Sequence, residues 1–520
     1  MRFYYLVYVL HQLNWLSPLG LYRLLAAISR YGVNLLALLK IAERAYGGRI
    51  ALTDDRESAT YSQLLEQSEK LSFALKRQYG IMSGSKVAFL CKNHAALVKG
   101  IYAVSGTGAD IYLLNAEMSD DQFRQLQEAY SFDLIIYDAE RIATVERIAR
   151  GTPKLAACHE RLPAVNRLLE TASNEVMPSR RPGRHSSGKL MLLTGGTTGK
   201  AKSVAHKPSL MNYLIPFSTM LTRLRLTEYK TAYIATPIYH GYGIALLLLF
   251  SALGKRMIIS EGFHAEKACG IVREYKAEVI SVVPLMIERM LKQNAEDLKS
   301  LACIASGGAE LNPRLAAEVS AKLGDVLYNL YGTSEAGLNV IATPYHLKYS
   351  PSTIGKLIKG VRLYIVDRDY NRVADGTVGQ FCIRNDWSMR NRRGSWIETG
   401  DLGYRDENGY YFLKGRVDDR IVSGGENVYP IELERILLEH PSVEDAAVIG
   451  IADEQFGQRL KAFVQTAPDA YLTEEQLTEW LRSKAARYQM PKGIVLIDQI
   501  PYTPLGKRDK KRLKEWQAGN

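Results

Sequence analysis

Short apolar runs alternate with longer helix-patterned stretches through the first half of the chain, and this alternation constrains the fold more than any other feature. Residues 87–90, 111–114 and 134–137 read as buried strands, and 63–78 and 95–104 as helices. A run of four to eight apolar residues bounded by turn signals suits a strand covered on both faces. Repeated alternation with helices predicts a layered α/β domain whose strands are largely parallel. The pattern continues through 190–193, 233–235, 257–260 and 279–283. At 520 residues the chain exceeds one ordinary core, so more than one structural unit is expected. After about residue 327 the texture changes. Residues 361–367 and 379–384 read as strands separated by an Asp-Gly turn, which predicts an antiparallel, barrel-like segment. Past Lys414 a smaller unit of helices and short strands begins.

Residues 194–202 read Thr-Gly-Gly-Thr-Thr-Gly-Lys-Ala-Lys and follow the strand at 190–193. Gly195, Gly196 and Gly199 free the backbone to wrap, while Thr194, Thr197 and Thr198 add hydroxyl donors. Lys200 and Lys202 add positive charge, so the loop has the makings of a polyphosphate cradle. It is not a Walker A loop, because only three residues separate Gly195 from Gly199 and Ala201 follows Lys200. A solvated Gly/Thr-rich turn fits the loop taken alone equally well.

A formal net charge of +12 points to a substrate or partner rich in phosphate or carboxylate. The basic residues are spread along the chain with no nucleic-acid-binding signature, so no nucleic-acid partner is expected. Cys91, Cys158, Cys269, Cys303 and Cys382 are far apart and form no Cys-x-x-Cys pair, which fits a reducing cytoplasm. The first 37 residues are free of acidic groups and begin with an aromatic, apolar run too short to span a bilayer. Leu21, Leu24, Leu25 and Ile28 share a helical face, with Arg23 and Arg30 opposite. Two readings stand: a helix packed on the domain, or a basic amphipathic helix lying peripherally on an anionic membrane, at its inner face. The apolar run 244–253 reads as a buried helix.

Further motifs follow in a fixed order. After the Gly/Thr-rich loop come Thr236-Pro-Ile-Tyr-His240-Gly, Ser306-Gly-Gly-Ala-Glu310 and Tyr331-Gly-Thr-Ser-Glu335. Then come Trp396-Ile-Glu-Thr-Gly-Asp401, Gly415-Arg416-Val-Asp418-Asp419, Gly424-Gly-Glu-Asn-Val-Tyr-Pro430 and Pro501-Tyr-Thr-Pro-Leu-Gly-Lys507. The ordered set resembles the adenylate-forming (AMP-binding) superfamily, which includes acyl-CoA synthetases, adenylation domains of peptide synthetases and luciferases. The resemblance runs from about residue 38 to the end, and its wording is most like fatty-acyl-CoA ligases.

The resemblance implies a large domain over 38–415, built from two layered α/β subdomains and a distorted β-barrel. A small mobile α+β domain would follow over 416–520, hinged at Asp418, with 1–37 as an extension. The implied reaction is ATP-dependent attack of a carboxylate on the α-phosphorus, then transfer of the acyl group to CoA. Cations and aligned donors must offset the repulsion between the two anions. Thr194, Gly195, Gly196, Thr197, Thr198, Gly199 and Lys202 would hold the β- and γ-phosphates, with Thr197 and Glu335 positioning Mg²⁺. Asn329, Leu330, Tyr331, Gly332, Thr333 and Ser334 match the nucleotide segment, with Tyr331 on the adenine and Ser334 near the α-phosphate. Gly308, Ala309 and Glu310 would line the other side of the base. Asp401 would accept from the ribose hydroxyls and Arg416 would support the same region. Lys507 would contact the forming acyl-adenylate, and rotation at Asp418 would withdraw it and bring in the thiol-donating face with Gly425. His240 matches a position beside the acyl pocket; an ordinary packed histidine fits it as well.

The chain departs from that pattern at Ala201, where most members carry proline, at the Thr-Gly-Gly start of the loop, and in a shortened stretch 385–395. Alternatives to a fatty-acyl-CoA synthetase are an aryl-acid CoA ligase, transfer to a carrier-protein phosphopantetheine, and a non-catalytic nucleotide-binding or membrane-scaffold protein. Retention of Glu335, Asp401, Arg416 and Lys507 argues against the last.

Overall fold

A computed structural model of the chain describes residues 2–12, 15–173, 188–195, 201–206, 210–388, 395–423, 426–468, 470–503 and 506–519. Three sheets organise them. A six-stranded sheet runs in the order Lys154–Ala156, Leu134–Tyr137, Lys86–Leu90, Asp110–Leu113, Leu190–Gly195 and Ala201–His206. Its first five strands are parallel, and the last folds back antiparallel, pairing Thr194 with Lys202. Parallel neighbours need long crossovers, and helices such as Tyr61–Tyr79 and Ala95–Thr107 cover the faces those crossovers leave apolar. The former starts at a Thr60–Gln63 capping box and stops at left-handed Gly80.

The second sheet has 13 strands. Its parallel part orders Ile50–Thr53, Arg256–Ile259, Thr231–Ile234, Val279–Val282, Cys303–Gly307 and Leu327–Thr333 side by side. Beyond Leu327–Thr333 every further pairing is antiparallel, through Gly337–Ala342 and Thr353–Leu357 to Tyr411–Arg416, Ile397–Arg405, Gly379–Arg384 and Arg362–Val366. The sequence expectation of an antiparallel, barrel-like stretch falls on these strands. Among the described residues no pairing joins its two ends into a closed barrel.

The chain leaves this sheet after Arg416 and builds a five-stranded one from Ile421–Ser423, Glu426–Val428, Val443–Asp453, Gly457–Thr466 and Gly493–Ile497. The helix Pro430–Leu438 packs on it over a separate core that includes Leu433, Leu437, Val448 and Leu477. The molecule is thus a mixed α/β protein with a large N-terminal domain and a small C-terminal one.

The amino terminus forms α1 (Arg2–Gln12), α2 (Pro18–Tyr31) and α3 (Leu35–Tyr46). Val9, Leu10, Trp15, Ala27 and Tyr31 are buried in the same cluster as Leu64 and Leu246. The Tyr31 hydroxyl donates to Glu69, and the Leu35 N–H donates to Ser105 Oγ at 2.9 Å. The predicted apolar face of α2 is split. Leu24 and Ile28 border a large open cavity, while Leu21 and Leu25 are 41% and 67% exposed. The stripe spans a wider arc than the core beneath it can cover. No described helix is long and apolar enough to cross a membrane.

Candidate active site

The strands Leu327–Thr333, Ile397–Arg405 and Tyr411–Arg416 converge on one polar cluster. The Tyr331 hydroxyl donates to Asp401 Oδ2 at 2.6 Å, and Arg416 Nη1 donates to Asp401 Oδ1 at 2.8 Å. Asp401 and Arg416 are cross-strand partners, which fixes the second contact by register. Gly400 allows it: a Cβ there would stand 2.8 Å from Arg416 Nη2, and its φ of +73° lies in the left-handed region. The Asp401 backbone N–H donates to Thr399 Oγ1 at 3.1 Å. Burial pushes the Asp401 carboxyl above the usual carboxylate range, while Tyr331, Arg416 and Lys507 pull it back. Burial and the Asp401 charge raise the Tyr331 phenol well above its ordinary value. Neither Tyr331 nor Asp401 is spare: each holds the other in place.

Lys507 reaches this cluster from the C-terminal domain. Its turn is closed by Thr503, whose N–H donates to the Lys507 carbonyl at 2.7 Å and whose Oγ1 accepts from the Lys507 N–H at 3.2 Å. Gly506, at φ +68°, lies so close to the large domain that a Cβ would stand 2.8 Å from Val283 Cγ2. Lys507 stays solvent-accessible yet surrounded by protein across the cleft. Desolvation therefore lowers its ammonium pKa; Arg416 lowers it further and Asp401 opposes.

The turn is held by a buried network that the motif reading missed. Arg508 Nη2 donates to Asp445 Oδ1 at 2.7 Å, Arg508 Nη1 to Glu434 Oε2 at 3.2 Å, and Lys510 Nζ sits 3.0 Å from Glu434 Oε1. The Tyr502 hydroxyl donates to Asp445, and the Val448 N–H to Glu434 Oε1 at 2.9 Å. Burial raises the Glu434 carboxyl, but Lys510, Arg508 and the Val448 N–H outweigh it and keep the pKa below the usual range. Arg508 and Lys510 were visible beside Lys507. Glu434 and Asp445 lie 74 and 63 residues before Arg508, and no spacing rule reaches that far.

His240 caps the start of the helix Gly241–Ala252 without a side-chain capping bond. Its Nε2 is buried with no partner among the described residues, and the Tyr239 ring lies 4.5 Å away. Burial first, and then the Lys507 charge, lower its pKa to about 4, so the ring is neutral at pH 7. The Tyr242 hydroxyl donates to the Ala305 carbonyl at 2.8 Å, tying this helix to the parallel sheet.

One continuous cavity of ≈ 2510 Å³ joins these groups. His240, Asp401, Arg416, Asp418 and Lys507 border it. So do Gly308, Ala309 and Glu310, and the whole run Asn329, Leu330, Tyr331, Gly332, Thr333, Ser334 and Glu335. Asp418 is exposed, with Oδ2 3.5 Å from Arg416 Nη2. Glu310 carries an ion pair with Arg435 on the helix Pro430–Leu438, whose Nε donates at 3.1 Å. Glu335 is half-buried, and no hydrogen bond or ion pair engages its carboxylate among the described residues. Thr194, Gly195 and Lys202 lie in the hairpin Leu190–Gly195/Ala201–His206. Gly196, Thr197, Thr198, Gly199 and Gly425 lie outside the described residues, as does most of the shortened stretch 385–395. Elsewhere Cys91, His94 and Asp138 stand close together. Both ring nitrogens of His94 are engaged there, one by the Leu97 N–H and one by Asp138, so the trio caps and packs the helix Ala95–Thr107.

The chain matches the AMP-binding enzyme family over residues 39–391 and the AMP-binding enzyme C-terminal domain over 432–507. A 2-succinylbenzoate–CoA ligase of Geobacillus sp. (strain WCH70) is 29% identical over 488 residues, covering 91% of this chain and 95% of the relative. A fatty acid–[acyl-carrier-protein] ligase, ScoC of Streptomyces coeruleorubidus, is 26% identical over 486 residues, covering 89% and 93%. The fold is shared with o-succinylbenzoate CoA synthetase (MenE) from Bacillus subtilis, solved with its acyl-adenylate intermediate. That structure has a TM-score of 0.80 at 24% identity, covering 92% of this chain and 97% of the other.

Proposed function

The chain belongs to the AMP-binding enzyme family, and on that premise we propose that it joins a carboxylic acid to CoA through an acyl-adenylate, releasing pyrophosphate and then AMP. The coarse activity is that of an adenylate-forming acid–thiol ligase, with ATP and CoA as substrates. The observation that carries the reading is the delivery of Lys507, from a separate domain, into the cleft that holds Asp401, Arg416 and Tyr331.

In the proposed division of labour, Asp401 accepts from the ribose hydroxyls, and its fixed bonds to Tyr331 and Arg416 orient it without rearrangement. Tyr331 offers its ring face to the base, opposite Gly308 and Ala309. Arg416 and Lys507 offset negative charge as the carboxylate meets the α-phosphate, and the strand-linked loop 194–202 takes the outer phosphates. The unpaired Glu335 carboxylate fits a divalent cation, with Thr197 as its second oxygen ligand. Mg²⁺ held there would neutralise phosphate charge. His240, neutral and without a partner, faces the acid rather than supplying charge. Rotation about Asp418 would then retract Lys507 and admit the thiol beside Gly425.

For the acid, the relatives' names lean towards an aryl acid, and the fatty acid expected from motif wording has less support from them. ScoC keeps a carrier-protein acceptor as the second reading. Peripheral contact with an anionic membrane belongs to the same proposal. Leu21, Tyr22 and Leu25 are exposed together on α2, in a segment without acidic groups; Arg23 and Arg30 lie opposite the two leucines, and Arg30 stands 3.7 Å from Glu69. Acid-dependent pyrophosphate release, followed by thioester formation with free CoA or with a carrier protein, tests the core reading across aryl and alkyl acids. No release with any acid would overturn it.

A further inference from the structure

The cavity does not end at His240. It follows one face of the helix Gly241–Ala252, bordered in turn by Gly241, Ile244, Ala245, Leu248, Leu249 and Ala252. These positions recur at three- and four-residue steps, so the cavity tracks the helix for roughly 16 Å at the α-helical rise. Phe217, Met220 and Leu221 of the helix Leu210–Arg223 form another wall. The amino terminus lines the cavity as well: Val9 of α1, Leu24 and Ile28 of α2, and Leu35, Leu38 and Ile41 of α3, which packs directly against the helix Gly241–Ala252. Val33, between α2 and α3, borders the cavity and is also 62% exposed, so the far end approaches the surface there.

From this geometry we infer that α1–α3 complete the acid site as a tail channel, and that the acid carries a long, unbranched apolar tail. The inference rests on the ligase reading, which places the carboxylate near His240 and Lys507. Its own support is the lining. Trp15 and Asn34 are the polar exceptions among the amino-terminal residues that border the cavity; the residues just named are apolar, and none is a cation able to receive a second carboxylate. A 2-succinylbenzoate-type acid would carry such a carboxylate into the arm unpaired, at a steep desolvation cost. The arm is also longer than one aromatic ring with a short acyl branch. An alkyl tail fills it without carrying a charge out of water. The amino-terminal helices are then the gauge of tail length, and the cavity's approach to Val33 leaves the longest tails an outlet.

The test measures kcat/KM for adenylate formation over a ladder of straight-chain acids, together with benzoate-type acids, in the full-length protein. Wild type should prefer long tails. Ile28→Trp narrows the arm where α2 borders it and should lower the long-to-short specificity ratio at least tenfold. Ile28→Ala widens the same place and should move the optimum to longer or bulkier tails; it also serves if the tryptophan variant fails to fold. Aryl acids as the only substrates, or an unchanged ratio in both variants, overturns the tail channel while the ligase reading stands. Absence of pyrophosphate release with every acid overturns both.

Discussion

Tyr331 and Asp401 lie 70 residues apart in sequence, yet they meet through a 2.6 Å hydrogen bond that joins the parallel part of the large sheet to its antiparallel part. The bond leaves Asp401 Oδ1 to Arg416 and sets the carboxylate before any nucleotide arrives. Tyr331→Phe keeps the ring but removes the donor from a buried carboxylate, a loss of about 1.5–3 kcal/mol for a hydrogen bond to a charged group. The expected result is a rise of about tenfold or more in the KM for ATP, with kcat less affected. An unchanged KM would mean that Asp401 needs no such anchor.

Lys507→Ala should slow adenylate formation by about a hundred- to a thousandfold, the effect of about 3–4 kcal/mol lost mainly in the transition state. Thioester formation from supplied acyl-adenylate should be largely spared. Because desolvation lowers the Lys507 pKa, its charge is lost at a lower pH than for a free lysine. Wild-type adenylation should therefore decline early on the alkaline side. Lys507→Arg, whatever its absolute rate, should move that decline upward. Equal losses in both half-reactions would rule out a role confined to adenylation.

Glu434→Gln leaves Arg508 and Lys510 without their shared buried carboxylate, a loss of about 3–5 kcal/mol for one broken partner of a buried pair. Denaturant melts should show the C-terminal domain weakened, and adenylation should fall because the Lys507 turn loses its support. The pH sign follows from a folded-state pKa below the unfolded one. Glu434 stabilises fully above the ordinary carboxylate range, and this contribution disappears as acid protonates it. The acid limb of the wild-type stability curve should flatten in the variant.

Leu21→Asp with Leu25→Asp tests the membrane contact better than truncation does, because Val9, Trp15, Ala27 and Tyr31 belong to the core. Removing residues 1–37 would damage folding whatever α2 touches. The two leucines are exposed, so their substitution should shift stability by no more than about 0.5 kcal/mol. Co-sedimentation with anionic vesicles should be lost, while high salt weakens wild-type binding only in part, since the apolar contribution is not screened. Wild-type protein that stays in the supernatant would exclude the contact.

Much was legible locally. The strands at 87–90, 111–114 and 134–137 stand where their apolar runs lie, and the buried helix expected at 244–253 spans Gly241–Ala252. Strand and helix periods, turn residues and caps act over a few residues, so a sequence displays them directly. Motif order likewise gathered Tyr331, Asp401, Arg416 and Lys507 into one expected site, which the cavity borders together.

The division of α2 between core and surface was not legible, because the apolar stripe reads the same whether one edge or both are covered. Nor was the pairing of Arg508 with Glu434 and Asp445, the packing of α3 on the helix Gly241–Ala252, or the shared cavity that α1–α3 and that helix border. By itself the sequence determined which segments become strands and helices and which residue types the site can draw on. Tertiary structure alone decided which segments are neighbours. Thr231–Ile234 lies between Arg256–Ile259 and Val279–Val282. Such neighbours are chosen by the joint burial of many distant faces, a property of the whole packing that no local pattern carries.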